Sequence, residues 1–134
     1  MSRAFLWPAL VSVLALLLYQ VLIGLVGQAR GKYNVQPPAT TGHPAFERRL
    51  RVQLNTSEQL VCFLPALWLF AMTLNPTWAA ALGGLWLFGR IAYAVGYFKE
   101  ANKRGFGFAI TSIATGLLLL GSVVGIGLQL FKSM

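Results

Sequence analysis

The sequence predicts an all-α integral membrane protein, folded as an up-down four-helix bundle, and three observations carry that prediction. Of the 134 residues, 57% are hydrophobic and only 10% are charged, whereas soluble domains carry roughly a quarter of charged residues. Polar segments divide the chain into long apolar runs on the scale of the about 20 residues that cross a hydrocarbon core. The basic residues behind the formal net charge of +8 gather in the short segments between those runs, which is the layout of membrane loops rather than of a nucleic-acid surface. A single domain spanning residues 1–134 is expected at this length.

The first run, Ala4 to Ala29, contains no charged residue. It resembles a signal peptide only superficially, because the apolar region is too long for the apolar stretch of a signal peptide. An uncleaved first helix follows, with Pro8 tolerated near its start, where a missing N–H costs little. Arg30 to Ala45 reads RGKYNVQPPATTGHPA, and its prolines and glycine predict an irregular first loop. Pro44 is a suitable opening residue for a second helix running to Leu74, about 46 Å long at 1.5 Å per residue. That exceeds a core of about 30 Å, so the Arg48–Glu58 half is expected to project into or beyond the headgroups. Asn75 and Pro76 form a short turn, Thr77 to Phe98 a third span, Lys99 to Gly105 a second charged loop, and Phe106 to Phe131 a fourth span. Connections this short give antiparallel neighbours.

Positive charge sets the orientation. Arg30, Lys32, Arg48, Arg49, Arg51, Lys99, Lys103 and Arg104 fall on one side, and only Arg3 and Lys132 on the other. The richer side is assigned to the cytosol.

The candidate chemistry sits on that side. In Glu47 to Leu64, ERRLRVQLNTSEQLVCFL, Arg51, Asn55 and Glu58 lie at i, i+4 and i+7, with Arg48 flanking them. They share one face of a helix. Ionisable groups at the mouth of a membrane helix point to a functional site. A snorkelling, solvated helix end accounts for Arg48 and Arg49 but less well for Asn55 and Glu58, the polar groups nearest the apolar run. On the third helix Arg90, Tyr93 and Tyr97 form a second stripe leading to Arg104. Polar groups in hydrocarbon need partners, so Arg90 is expected to pair with a carboxylate such as Glu58. Together the two stripes suit a small anion that also carries an ammonium, and glutathione has two carboxylates, an ammonium and a thiol. Arginines match its carboxylates, Glu58 its amino group, and Arg104 beside the sulfur would favour thiolate.

Other signals are slighter. Cys62 reads as a small buried hydrophobe and His43 as a loop residue. Asn55-Thr56-Ser57 matches a glycosylation sequon that cytoplasmic placement leaves unused. Gly121-x-x-x-Gly125 permits close helix approach. With one His and no Asp, neither a metal site nor a serine triad is expected.

Arg51-x-Gln53-x-Asn55-x-x-Glu58, then Arg90-x-x-Tyr93-x-x-Gly96-Tyr97 and Arg104, resembles the MAPEG family of membrane glutathione-handling proteins, nearest its leukotriene C4 synthase and type-2/3 microsomal glutathione transferase branch. Pro37-Pro38-x-Thr40-Thr41-Gly42 before Phe46-Glu47-Arg48 extends the likeness, so it spans Arg30 to Arg104. The resemblance implies a homotrimer with glutathione as co-substrate, bound between subunits on the cytosolic side of a bacterial inner membrane or endoplasmic reticulum. It implies glutathione binding by Arg51, Asn55, Glu58, Tyr93 and Tyr97, with Arg30 and Gln53 acting from the adjacent subunit. Arg104 would stabilise the thiolate, Arg48 and Arg90 would be structural, and no metal would take part. The acceptor would be a hydrophobic electrophile or a lipid hydroperoxide. Gln59 stands where the synthases have tyrosine, which removes one glutathione contact, and Gly31 stands where the leukotriene-forming enzyme has a second arginine, which points to a broader transferase. A non-enzymatic lipid-binding relative and a small transporter or channel subunit remain the alternatives.

Overall fold

The computed structural model describes residues 2–134. Its four long helices are α1 (Leu6–Tyr33), α2 (Pro44–Thr73), α3 (Pro76–Lys99) and α4 (Gly105–Ser133), with 3-10 turns at Arg3–Phe5 and Ala101–Arg104. The chain runs up and down through them, as its short connections require. The segments containing α1, α3 and α4 are long and apolar enough to cross a membrane. In α2 the uninterrupted apolar portion begins only at Leu60, after the polar stretch Asn55–Gln59. Pro65 sits inside α2 without ending it, as prolines do in membrane helices whose neighbours make good the lost hydrogen bond.

Local chemistry explains the helix ends, and corrects two expected boundaries. The first loop does not start at Arg30, because α1 continues through Tyr33 and stops where Asn34 adopts a left-handed φ of 55°, a conformation asparagine tolerates well. Arg30 and Lys32 thereby occupy the last helical turn, where the negative end of the helix dipole favours cations. The Arg30 guanidinium donates to the Ala39 carbonyl at 2.8 Å and lies 4.8 Å from the centre of the Phe46 ring, folding the loop back over α2. His43 is the N-cap of α2: its Nδ1 accepts from the Ala45 N–H at 3.1 Å, and its ring stacks on Tyr33 at 3.8 Å. Asn75 caps α3 by accepting from the Trp78 N–H at 3.0 Å. The second charged loop is ordered as a 3-10 turn, with α4 following directly from Gly105.

The core lies midway along the bundle, where Phe63 and Trp86 stack at 4.0 Å among Val11, Ala15, Leu67 and Leu118. Small residues set how closely the helices approach. A Cβ at Gly107 of α4 would collide with the backbone of Tyr93 on α3, and one at Gly96 with the Lys103 carbonyl. The second contact holds the Ala101–Arg104 turn against α3. Gly121 and Gly125 face Phe70 and Thr73, so the GxxxG spacing serves the α4–α2 contact.

Cys62 is exposed, contrary to expectation. The buried face of α2 passes through Phe63, Ala66, Leu67 and Phe70, and a helical step of 100° turns Cys62 outward with Val61, which is 77% exposed. Apolar residues on the outer faces, such as Leu17 and Leu120, present the surface that lipid requires.

Replacing Gly107 by alanine should therefore destabilise the bundle by about 1–3 kcal/mol through overpacking. Gly116→Ala, with nothing near its added Cβ, should be neutral or mildly stabilising. Thermal unfolding in detergent separates the two, and equal behaviour would contradict the close α3–α4 contact.

Candidate functional site

Four elements of the chain meet at the charged end of the bundle. α2 supplies Arg51 and Asn55, α3 supplies Tyr93 and Tyr97, the 3-10 turn supplies Arg104, and α4 adds Phe108; together they line a cavity of about 190 Å³. A neighbouring cavity of about 320 Å³ is lined by Pro44, Glu47, Arg48, Arg51, Tyr97 and Ala101. Arg51 and Tyr97 border both, so the two form successive parts of one cleft.

Tyr93 is nearly buried at 3% exposure, and its ring meets Tyr97 edge-on at 5.6 Å. The Arg104 guanidinium lies 5.6 Å from the centre of the Tyr97 ring and donates to the carbonyl of Ala101 within its own turn. These contacts aim the stripe read from the sequence at α2.

The expected partner of Arg90 is corrected. Arg90 is wholly buried and donates to Asn55 Oδ1 at 2.9 Å, while its guanidinium carbon stacks 3.7 Å from the centre of the Tyr93 ring. Glu58 is exposed and lines neither cavity. Helix phase explains this, since three residues beyond Asn55 leave Glu58 about 60° further around α2, away from α3.

Gln53 and Arg30 also lie outside both cavities. Gln53 is two residues from Arg51, about 200° around the helix, and its Nε2 donates to the Tyr19 hydroxyl at 3.2 Å. Arg30 is occupied with its loop. Arg48 lines the larger cavity, and its Nε donates to the Phe98 carbonyl at 3.1 Å, one of the carbonyls a helix end leaves without an internal partner. Arg49, to which the sequence assigned only solvation, reaches α1 by donating to the Leu25 carbonyl at 3.1 Å and Gln28 Oε1 at 3.2 Å. Phe108 was missed altogether. Its only sequence signal is a position four residues after Arg104, across a boundary where no continuous helical phase is expected.

The smaller cavity thus offers two guanidinium groups, an amide, two phenols and one apolar ring, with no carboxylate on its wall. Such a lining can hold a carboxylate and stabilise a neighbouring anionic nucleophile, with Phe108 as an apolar border. Among the described residues, no three His, Cys, Asp or Glu side chains come together as a metal site.

The chain is similar along most of its length to known proteins. The sequence model of the MAPEG family matches residues 8–124. An uncharacterised protein of Synechocystis sp. is 57% identical over 125 residues, covering 93% of this chain and 91% of the other. Microsomal glutathione S-transferase 2 of Homo sapiens is 42% identical over 101 residues, or 75% of this chain and 69% of that one. Leukotriene C4 synthase of Bos taurus is 37% identical over 120 residues, 90% of this chain and 79% of the relative.

The Arg48 contact with Phe98 anchors the last turn of α3 and, through it, the turn that carries Arg104. Arg48→Met should cost about 1.5–3 kcal/mol, the range for a hydrogen bond to a charged group. It should also speed tryptic cleavage at the exposed Lys99 and Lys103. Unchanged cleavage kinetics would show that this turn is held independently of Arg48.

Proposed function

This chain belongs to the MAPEG family, and from that premise we propose that it is an integral membrane glutathione transferase joining the glutathione thiolate to hydrophobic electrophiles. The observation that carries the reading is the meeting of Arg51, Asn55, Tyr93, Tyr97 and Arg104 around one cavity. These are the residues the two sequence stripes nominate, drawn from helices and a turn that only the fold brings together.

Each takes a role suited to its chemistry. The Arg51 fork binds a glutathione carboxylate with paired hydrogen bonds. Asn55 and Tyr93 add polar contacts, and Tyr97 stands near the thiol region. Arg104 lowers the thiol's pKa by placing a positive charge beside the sulfur, which populates the nucleophilic thiolate. The sulfur then attacks the acceptor: a C–S bond forms, and the leaving group departs with the bonding electrons. In an epoxide the C–O bond opens and its oxygen takes up a proton. With a lipid hydroperoxide the thiolate attacks the O–O bond, releasing the alcohol after protonation. A second glutathione then reduces the resulting sulfenic acid to disulfide and water. Positioning and thiolate stabilisation supply the catalysis.

The same reading includes a homotrimer. Arg30 and Gln53 line neither cavity of their own chain, so an adjacent subunit is where they would contact glutathione, and Glu58 would engage its amino group. The concentration of basic residues at this end of the bundle supports a cytosolic site. Relatives named for glutathione transfer and leukotriene C4 synthesis support the reaction class, while Gly31 favours a broader transferase over one dedicated to a leukotriene epoxide. A non-enzymatic lipid-binding protein would have no use for a stabilised thiolate, which makes that species the discriminating observable.

Glutathione added to detergent-solubilised protein should produce a saturable thiolate absorption band at neutral pH. Arg104→Ala should abolish the band and lower turnover on the order of 100-fold, with glutathione still bound by calorimetry. Arg51→Ala should instead weaken glutathione binding about 10- to 100-fold. Wild-type turnover in the first variant, or wild-type affinity in the second, would overturn the corresponding role.

A further inference from the structure

The buried cation behind the cavity wall has no assigned part in the chemistry above. Arg90 is 0% exposed, donates one hydrogen bond to Asn55 Oδ1 and leaves its Nε and NH1 without partners. An uncompensated charge inside a membrane bundle is expensive. Exchanging the amide of Asn55 for the carboxylate of an aspartate would supply the missing counter-ion with almost no change in shape. The chain keeps the amide, and an amide does two things here that a carboxylate cannot. With Oδ1 turned to Arg90, its orientation is set, and the NH2 remains as a donor for the cavity that Asn55 lines. The positive charge of Arg90 is also left unneutralised directly behind Asn55 and Tyr93, the two wall residues it touches.

We propose that Arg90 is a positioning residue for this cavity, and that an anion bound against Asn55 and Tyr93 is the counter-ion the bundle itself omits. Arg90 never reaches the ligand. It fixes the amide by a hydrogen bond and the phenol ring by stacking, and it adds a field that favours negative charge across a thin, dry wall, where screening is weak. The ligand class is a small carboxylate-bearing molecule; its identification as glutathione rests on the function proposed above, whereas the geometry around Arg90 does not.

Two variants of Arg90 separate positioning from mere packing. Arg90→Met should weaken glutathione binding about 10- to 100-fold and raise KM, with little change in kcat at saturation because Arg104 is untouched. Arg90→Lys, which keeps the charge and loses the fork, should fall between. A folded Arg90→Met with wild-type affinity and KM would overturn the proposal. Should Arg90→Met fail to fold, Asn55→Asp supplies the test, with inorganic sulfate as the probe. It should raise the unfolding temperature, since Arg90 gains its counter-ion. The extra protection that sulfate gives the wild type over chloride at matched ionic strength should then disappear. Failure of Asn55→Asp to stabilise, or full retention of sulfate protection, would overturn the proposal. A wild type protected by sulfate but blind to glutathione would sink the transferase reading while sustaining this one.

Discussion

A guanidinium that water cannot reach joins α2 to α3. Arg90 and Asn55 meet at 2.9 Å near the point where α2 changes from a polar, surface-seeking helix to an apolar one. Polar groups at that depth have little choice of partner, because lipid offers none. The contact therefore fixes which faces of α2 and α3 oppose each other. It also fixes what surrounds it: Tyr93 stacks on the guanidinium, Tyr97 follows one turn later, and Arg51 sits one turn before Asn55. The cleft is the space these side chains leave as they converge on the buried contact.

The wall opposite depends on closeness rather than charge. Gly107 lets α4 approach the backbone of Tyr93, and Gly96 seats the Lys103 carbonyl. A short 3-10 turn can then hold Arg104 over Tyr97 instead of releasing it to solvent. Arg48 secures the same corner by taking the Phe98 carbonyl. Positive charge and small residues are thus complementary parts of one construction. Glycines bring the backbones together, and the arginines, which would otherwise repel, are spread over different partners.

Much of the architecture was legible because its causes are local. Long apolar runs, prolines placed to open helices, and the grouping of basic residues each constrain the chain within a few neighbours, and the four helices follow. The site stripes at Arg51–Asn55 and Arg90–Tyr93–Tyr97 were legible for the same reason, since helical phase is a property of spacing alone. Where the reading departed from the structure, the missing information was non-local. Nothing near Asn34 reveals that Arg30 will be held by the Ala39 carbonyl. The outward turn of Cys62 depends on which face of α2 the other helices cover. Phe108 belongs to the cavity only because α4 starts close against α3.

The sequence by itself determined that this chain is helical, belongs in a membrane, and carries two polar stripes at one end, because composition and periodicity are written residue by residue. Tertiary structure alone decided that Arg90 would meet an amide rather than the carboxylate of Glu58. A helical rotation of about 60° separates those two groups on α2, and only the packing of α3 against that helix selects between them. The same packing left a buried positive charge behind a wall with no carboxylate of its own, and the proposed binding of an anion there rests on that arrangement.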